Sequence, residues 1–89
     1  MKTLFKLYEN ISDDTASVVL NLLETREDIS YCKAAVDRKP SRYRKKYWIV
    51  EHSFIDDKED VNRRVYMTYQ RSTFKEEESD QSREIVILT

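Results

Sequence analysis

The chain contains no glycine in its 89 residues, and this absence restricts both its turns and its chemistry. Glycine adopts a positive φ without steric cost, so the phosphate-binding loops of P-loop and dinucleotide-binding proteins depend on it. We therefore expect neither loop in this protein. Its tight turns must be formed by Asp, Asn, Ser or Lys, and connections longer than the two residues of the tightest β-hairpins are expected.

Length and composition predict one small domain that comprises residues 1–89. Charged residues make up 37% of the chain, yet the aromatic residues (11%) and several short apolar runs can still supply a small core. No apolar run approaches the roughly 18 residues of a membrane span. Lys6 and Glu9 interrupt the N-terminal segment before a signal peptide could form, and the single Cys32 cannot form an internal disulfide. These features predict a cytoplasmic protein that does not associate with membranes.

One segment has the period of an amphipathic helix. Four apolar residues recur at the spacing of one helical face: Ala16, Val19, Leu20 and Leu23. Ser12 or Asp13 can cap the N-terminus of such a helix. The pattern predicts a helix over residues 13–25, packed on the rest of the fold through its apolar face.

The remaining segments have the features of β-strands: residues 3–8 are a short apolar and aromatic run, a period of two follows after the predicted helix, and the C-terminal run is apolar enough to be buried on both faces. Strands are predicted over residues 3–8, 29–36, 46–55 and 61–74, and in the C-terminal segment REIVILT. In the third of these, Trp48, Val50 and His52 fall on one face. The predicted fold class is α+β, with two layers: one amphipathic helix on a mostly antiparallel sheet of about five strands, in the order β-α-β-β-β-β.

Charge is distributed in blocks of alternating sign, which the net charge of −1 conceals. When Lys and Arg are counted against Asp and Glu, residues 26–46 sum to +5 and residues 61–75 to +4, whereas residues 47–60 and 76–89 each sum to −4. Such alternation favours docking through complementary charged patches.

The most basic stretch, DRKPSRYRKKYW at residues 37–48, interleaves six cationic side chains with aromatic ones. Its candidate partner-binding residues are Arg38, Lys39, Arg42, Tyr43, Arg44, Lys45 and Lys46. The cations could neutralise phosphates while Tyr43 stacks on an unpaired base. An acidic patch on a protein would serve equally well as the partner, and the acidic blocks would repel a long duplex. The stretch is also consistent with a solvated loop that leads into a strand.

Two acidic runs complete the charge pattern. The first, DDKED at residues 56–60, lacks the glycine of a calcium-binding loop and predicts a solvated turn. The second, KEEESDQS, is most often a polar loop, but acidic loops can also imitate a row of phosphates on a target's nucleic-acid site. Its candidate partner-binding residues are Glu76, Glu77, Glu78 and Asp80.

Cys32 and His52 are the only thiol and the only imidazole, so they form the one possible Cys–His nucleophile pair. No catalytic signature surrounds either residue, and a zinc site would need more Cys or His ligands. We therefore predict that the protein is not an enzyme and uses no cofactor or metal. The six tyrosines, together with arginine, match the composition of interface hot spots instead.

These features predict a non-enzymatic binding protein that covers a partner's surface. In size and composition the chain is similar to the small proteins with which phages and mobile elements block a host machine. The predicted function is therefore that of an inhibitor, with a nucleic-acid-handling protein as its partner. The alternative is direct RNA or DNA binding through the basic loop 38–46. A homodimer is compatible with both interpretations.

Overall fold

A computed structural model describes residues 1–13, 16–77 and 84–88 of the chain. Within these residues one α-helix packs on a mostly antiparallel sheet, which confirms the predicted α+β class. The helix is α1 (Ile29–Asp37), and two 3₁₀ helices follow it at Ser41–Lys46 and Val61–Arg63. The strands are β1 (Lys2–Asn10), β2 (Ser17–Arg26), β3 (Tyr47–Ile55), β4 (Lys58–Glu59), β5 (Val65–Gln70), β6 (Thr73–Glu76) and β7 (Glu84–Leu88).

The order of the strands across the sheet is β6-β5-β3-β1-β2-β7, and the short β4 also pairs with β3. Every neighbouring pair is antiparallel except β2 and β7, which run parallel. The two central strands, β1 and β3, are aligned over their length, from Lys2 opposite Phe54 to Glu9 opposite Tyr47. In the part of the chain that the structure describes, β6 and β7 are therefore the outer strands.

The order of elements differs from the predicted β-α-β-β-β-β, because residues 17–26 form strand β2. The predicted helix over residues 13–25 is wrong. Its apolar residues also satisfy a period of two, and Val18, Leu20 and Leu22 lie together on one face of the sheet. Since β2 forms backbone ladders with β1 on one side and β7 on the other, tertiary pairing outweighs the helical spacing of this segment.

The helix instead occupies residues 29–37, where a strand over residues 29–36 was expected, and that prediction is wrong. The Asp28 side chain caps α1 by accepting a hydrogen bond from the Ser30 backbone N–H at 2.9 Å. This bond also lowers the pKa of Asp28. Cys32 and Val36 point into the domain, and two consecutive alanines favour the helical state. No helix in the described ranges is long and apolar enough to span a membrane.

Hydrophobic clusters lie on both faces of the sheet. One cluster lies between the sheet and α1, and its buried residues are Leu7, Tyr47, Ile49 and Phe74 of the sheet with Cys32 and Val36 of α1. Those on the opposite face are Tyr8, Val18, Leu20, Trp48 and Val50. The predicted sharing of one face by Trp48, Val50 and His52 is confirmed, because Trp48 and Val50 belong to the cluster that contains Tyr8 and the Tyr8 hydroxyl lies 3.2 Å from His52 Nε2.

Two β-hairpins turn through only two residues each, although the chain has no glycine. Asp56 and Asp57 connect β3 to β4 with φ angles of 52° and 64°, and Arg71 and Ser72 connect β5 to β6 with φ angles of 48° and 78°. Two-residue hairpins require a positive φ at these positions to match the twist of the strands. The expectation of longer connections is wrong at both turns, even though each such residue costs about 1–2 kcal/mol.

Candidate functional site

The candidate site is built where α1 ends and the next helix begins. The backbone N–H groups of Arg38 and Lys39 close the last turn of α1 by donating to Ala34 O at 3.3 Å and Val36 O at 2.9 Å. Pro40 follows as the N-cap of the 3₁₀ helix Ser41–Lys46, with φ −54° and an extended ψ of 140°. A proline is tolerated here because its fixed φ is compatible with this conformation and its missing backbone N–H has no partner within the helix. The basic segment is therefore a folded connection between α1 and β3.

Three residues per turn align residues i and i+3 of a 3₁₀ helix. Arg42 and Lys45 therefore lie on one line, Tyr43 and Lys46 on a second, and Ser41 and Arg44 on a third. On the third line Arg44 faces the domain, since it is half-buried while the residues on either side of it are exposed. Geometry thus divides the predicted cations into one that faces inward and others that face solvent.

Arg44 holds the 3₁₀ helix against the domain. Its Nε donates to Lys39 O at 3.0 Å and its Nη2 to Asp37 O at 2.9 Å, which satisfies backbone carbonyls where α1 ends. Its Nη1 donates to the Tyr69 hydroxyl at 3.3 Å, and the guanidinium lies 5.8 Å from the centre of that ring. Arg44 was predicted to contact a partner, but in the structure its guanidinium contacts the domain itself.

The other cations of the segment are exposed, and two of them, Arg42 and Lys46, flank one tyrosine, while Lys39 lies over the ring of Tyr47 at 5.8 Å. Tyr43 is 39% exposed, and the charged groups of Arg42 and Lys46 lie 4.8 and 5.3 Å from the centre of its ring. We call this region the basic surface, and its members are Arg38, Lys39, Arg42, Tyr43, Lys45 and Lys46. Within the ranges that the structure describes, none of its five cations forms an ion pair.

An open crevice borders the basic surface. Lys45 and Lys46 line it on one side, and Glu9 and Asp13 line it from the end of β1. These carboxylates are not within ion-pair distance of the lysines, but their negative charge marks where the positively charged surface ends. A polyanion that extended past Lys45 and Lys46 would meet like charges, whereas a compact anionic patch would not.

The acidic candidates lie on and beyond β6. Glu76 is exposed at the end of that strand. Glu77 is half-buried: its N–H donates to Tyr66 O at 2.6 Å, and its Oε2 accepts from the Thr68 hydroxyl at 2.9 Å. Glu77 therefore secures the end of β6 to β5. Glu78 and Asp80 lie outside the described residues.

Cys32 and His52 lie on opposite faces of the sheet and do not form a nucleophile pair. The Cys32 thiol belongs to the cluster under α1 and donates weakly to Phe5 O at 3.8 Å, and burial raises the pKa of this thiol to about 11. The thiolate is thus disfavoured at neutral pH. His52 is 2% exposed on the other face.

A partly buried chain of polar side chains surrounds His52, and the sequence alone did not reveal it: Tyr8 and His52 are buried, while Glu59 and Arg64 are half-buried. The Tyr8 hydroxyl lies 3.2 Å from His52 Nε2, and His52 Nδ1 hydrogen-bonds to the Glu59 carboxylate. Arg64 completes the chain with bonds from Nε and Nη2 to the two carboxylate oxygens, at 2.6 and 3.0 Å. We call these residues the polar chain: Tyr8, His52, Glu59 and Arg64. It ties β1, β3 and β4 to the residue that precedes β5.

The polar chain shifts the pKa of each member. The hydrogen bonds from Arg64 lower the pKa of Glu59 to about 2, while burial raises that of Tyr8 to about 12 and lowers that of His52. Neutral His52 then donates from Nδ1 to Glu59 and accepts from the Tyr8 hydroxyl at Nε2, because a carboxylate can only accept. The alternation of β3 already indicated that His52 faces the core. Because a buried imidazole needs hydrogen-bond partners, the sequence did contain a signal for the polar chain.

Comparison with known proteins assigns the chain to no family. No protein-family model matches the sequence, and no curated protein and no solved structure shows significant similarity to the chain. Function must therefore be argued from the geometry of the basic surface and its surroundings.

Proposed function

We propose that the protein is a non-enzymatic binding protein whose basic surface docks on an acidic patch of a protein partner. The observation that carries this proposal is the set of five exposed cations without an ion-pair partner in the described part of the chain. Like charges on one short segment of the chain repel one another, and an anionic partner would offset that repulsion.

Rigidity of the basic surface supports the same proposal. Arg44 fixes the 3₁₀ helix to α1 and β5, so the backbone that carries the exposed cations is ordered before a partner binds. A preorganised backbone loses less conformational entropy on association than a flexible one does. Tyr43 adds an aromatic group at the centre of the charges, which is the composition of an interface hot spot.

A protein partner is favoured over nucleic acid by the state of the aromatic rings. Binding to single strands relies on exposed rings on which bases stack. Here Tyr47 and Trp48 are buried in the sheet, and the Tyr43 ring already interacts with Arg42 and Lys46. The alternative to a protein partner is direct nucleic-acid binding through phosphate contacts alone.

Within this class, the proposed role is an inhibitor that occludes the working surface of a nucleic-acid-handling machine. Occlusion requires affinity and no chemistry of its own, and charged patches accelerate the encounter. Exposed Glu76 on β6 supplies a charge of the opposite sign to the basic surface.

The test reverses charges on one line of the 3₁₀ helix. The variant Arg42→Glu/Lys45→Glu changes two exposed cations of the basic surface, and Lys2→Glu/Lys58→Glu makes the same change in net charge at the far end of the sheet. Nuclease-treated lysate is passed over each immobilised protein, and association of the captured protein is then timed. We expect the first variant to slow association at least about tenfold and the control to leave it nearly unchanged.

Oligonucleotide titrations across a salt series decide between the two partner classes. A protein-directed binder should bind single strands and duplexes negligibly at physiological salt. Tight binding whose logarithm falls with a slope near −0.7 per neutralised phosphate on single strands would instead assign the basic surface to nucleic acid. Equal capture by both charge-reversal variants would remove the basic surface from the function altogether.

A further inference from the structure

Strand β7 (Glu84–Leu88) has a free backbone edge. One side of the strand pairs with β2, and no strand among the described residues pairs with the other side. Proteins normally protect such an edge with lysine, proline or a β-bulge. The sequence EIVIL of β7 contains none of these devices, whereas the opposite outer strand β6 carries Lys75 and Glu76.

The hydrogen bonds between β7 and β2 show which backbone N–H and C=O groups of β7 point away from β2, toward the free edge. Glu84 N–H donates to Ala16 O at 3.3 Å, so Glu84 directs its backbone groups toward β2. Successive residues of a strand alternate in this respect. Ile85 and Ile87 therefore direct their N–H and C=O groups outward, and these four groups are available for another strand.

From this edge we propose that two copies of the chain pair antiparallel through β7 and form a twofold dimer with a continuous sheet. The sequence of β7 is self-complementary about Val86. Centring the pair on Val86 places Ile85 opposite Ile87 of the second copy, where both residues have outward-facing backbone groups. All four groups of each edge are then satisfied, and the two Val86 residues face each other at a non-hydrogen-bonded position.

Charge selects the antiparallel arrangement. Glu84 is the only charged residue of β7. In the proposed register the two Glu84 residues are four positions apart, or about 14 Å at roughly 3.4 Å per residue. This distance exceeds the Debye length of about 8 Å at physiological salt. A parallel pair would place the two carboxylates side by side, so it is disfavoured.

Apolar side chains around the free edge would be covered by the second copy. On β7 itself, Val86 and Leu88 are 37% and 41% exposed. None of these residues belongs to the cluster under α1. A five-residue strand pair is small beside the roughly 1,200–2,000 Å² of a stable interface, so the dimer should dissociate in the micromolar range.

Sedimentation velocity over a range of protein concentrations tests the dimer. We expect reversible dimerisation of the wild type, weakened at least tenfold by Val86→Lys. The matched control is Thr73→Lys, which adds the same charge to an exposed position of the outer strand β6. Circular dichroism verifies that both variants are folded. A dimer that survives Val86→Lys but is weakened by Thr73→Lys would place the contact at β6 and overturn the proposal.

Cysteine crosslinking tests the register and does not depend on the lysine variant. Under mild oxidation, Val86→Cys should form an intermolecular disulfide, because facing residues at a non-hydrogen-bonded position have Cα atoms about 4.5 Å apart. Leu88→Cys should not, since its counterpart lies four positions away. Wild type is the background control, because Cys32 is fully buried.

Two results would reject the dimer. One is a wild type that stays monomeric at every concentration and a Val86→Cys variant that does not crosslink. The other is a monomeric wild type whose capture of a partner is abolished by Val86→Lys, which would assign the edge to a strand of that partner. Neither result bears on the basic surface, whose test uses other residues.

Discussion

The two faces of the sheet are buried in different ways. Under α1, the buried side chains are almost entirely apolar, with Ile49 and Val36 fully inaccessible. On the opposite face an apolar cluster around Leu20 and Val50 adjoins the polar chain of Tyr8, His52, Glu59 and Arg64. The first face depends on packing alone, whereas the second also depends on hydrogen bonds that must all be made.

This difference decides which conditions each face responds to. Apolar packing is insensitive to pH, while a buried network of ionisable groups gains or loses stability as its members titrate. A small domain has a modest margin of stability, so either kind of loss is measurable. The comparison therefore predicts four effects, from the largest to the smallest.

Truncating a buried apolar side chain should lower the free energy of unfolding by the same amount on both faces. Ile49 and Leu20 are fully buried, one on each side of the sheet. Ile49→Ala and Leu20→Ala should each lower the free energy of unfolding by about 2–5 kcal/mol. Urea titration measures the loss, with Leu23→Ala as the control because Leu23 is 45% exposed. A much smaller cost at Leu20 than at Ile49 would show that the second face is loosely packed.

Neutralising the central carboxylate should affect the second face only. Glu59→Gln keeps an acceptor for Arg64 or His52 but removes the charge that both bonds use, so we expect a loss of about 1–3 kcal/mol. The control is Glu76→Gln, an exposed position on β6. Urea titration at neutral pH compares the two variants. Equal stability of both variants would mean that the polar chain contributes nothing beyond its packing.

Acid should destabilise the protein through the second face, in two separate windows. Burial lowers the pKa of His52 from its usual 6.5 in the folded state, so the unfolded chain binds this proton more tightly. The contribution of His52 is complete above pH 6.5 and declines as pH falls below it. Glu59, with a pKa of about 2 instead of 4.5, contributes stability that is lost as pH falls from 4.5 toward 2.

Urea titrations at a series of pH values separate these windows. In His52→Gln the decline just below pH 6.5 should disappear, while the decline below pH 4.5 should remain. The apolar variant Ile49→Val should follow the wild-type pH profile at a uniformly lower stability. A wild-type profile that is flat between pH 7 and 5 would contradict the assignment of a neutral His52.

The smallest effect concerns two buried tyrosines. Tyr8→Phe removes the hydroxyl that His52 Nε2 accepts from, at a cost of about 1 kcal/mol. Tyr47→Phe, on the face under α1, should be nearly neutral, because its hydroxyl has no hydrogen bond to another described residue. Thermal unfolding of the two variants measures the difference, and a larger loss in Tyr47→Phe would reverse the proposed contrast.

Much of the sheet could be predicted from the sequence, because residues 3–8 are a short apolar and aromatic run and because β3 and β5 alternate. The exchange of helix and strand between residues 17–26 and 29–37 could not be predicted from periodicity alone. The apolar run around Leu20 fits both periods, and only its pairing with β1 and β7 decides between them. The helix did have a local signal, since Asp28 is a capping residue and Ile29, Cys32 and Val36 recur at helical spacing.

The candidate site was predictable in composition but not in geometry. The cations of residues 38–46 are evident in the sequence, but the inward orientation of Arg44 depends on Tyr69, which is distant in the chain. Glu59 was interpreted as part of a solvated turn, which is correct for exposed Asp56 and Asp57. The hydrogen bond between Glu59 and His52 requires the two-residue hairpin at Asp56 and Asp57. A chain without glycine was not expected to form such a hairpin.

The position of β7 in the sheet has a consequence for the rate of folding. Three of the six strand pairs join consecutive strands, but the β2–β7 ladder aligns residue 19 with residue 86 and must close nearly the whole described chain. Contacts between such distant residues form late, since the entropy of closing the loop is lost before the contact contributes. Strand β7 should therefore dock last and detach first, and its amides should exchange hydrogen faster than those of β1 and β3.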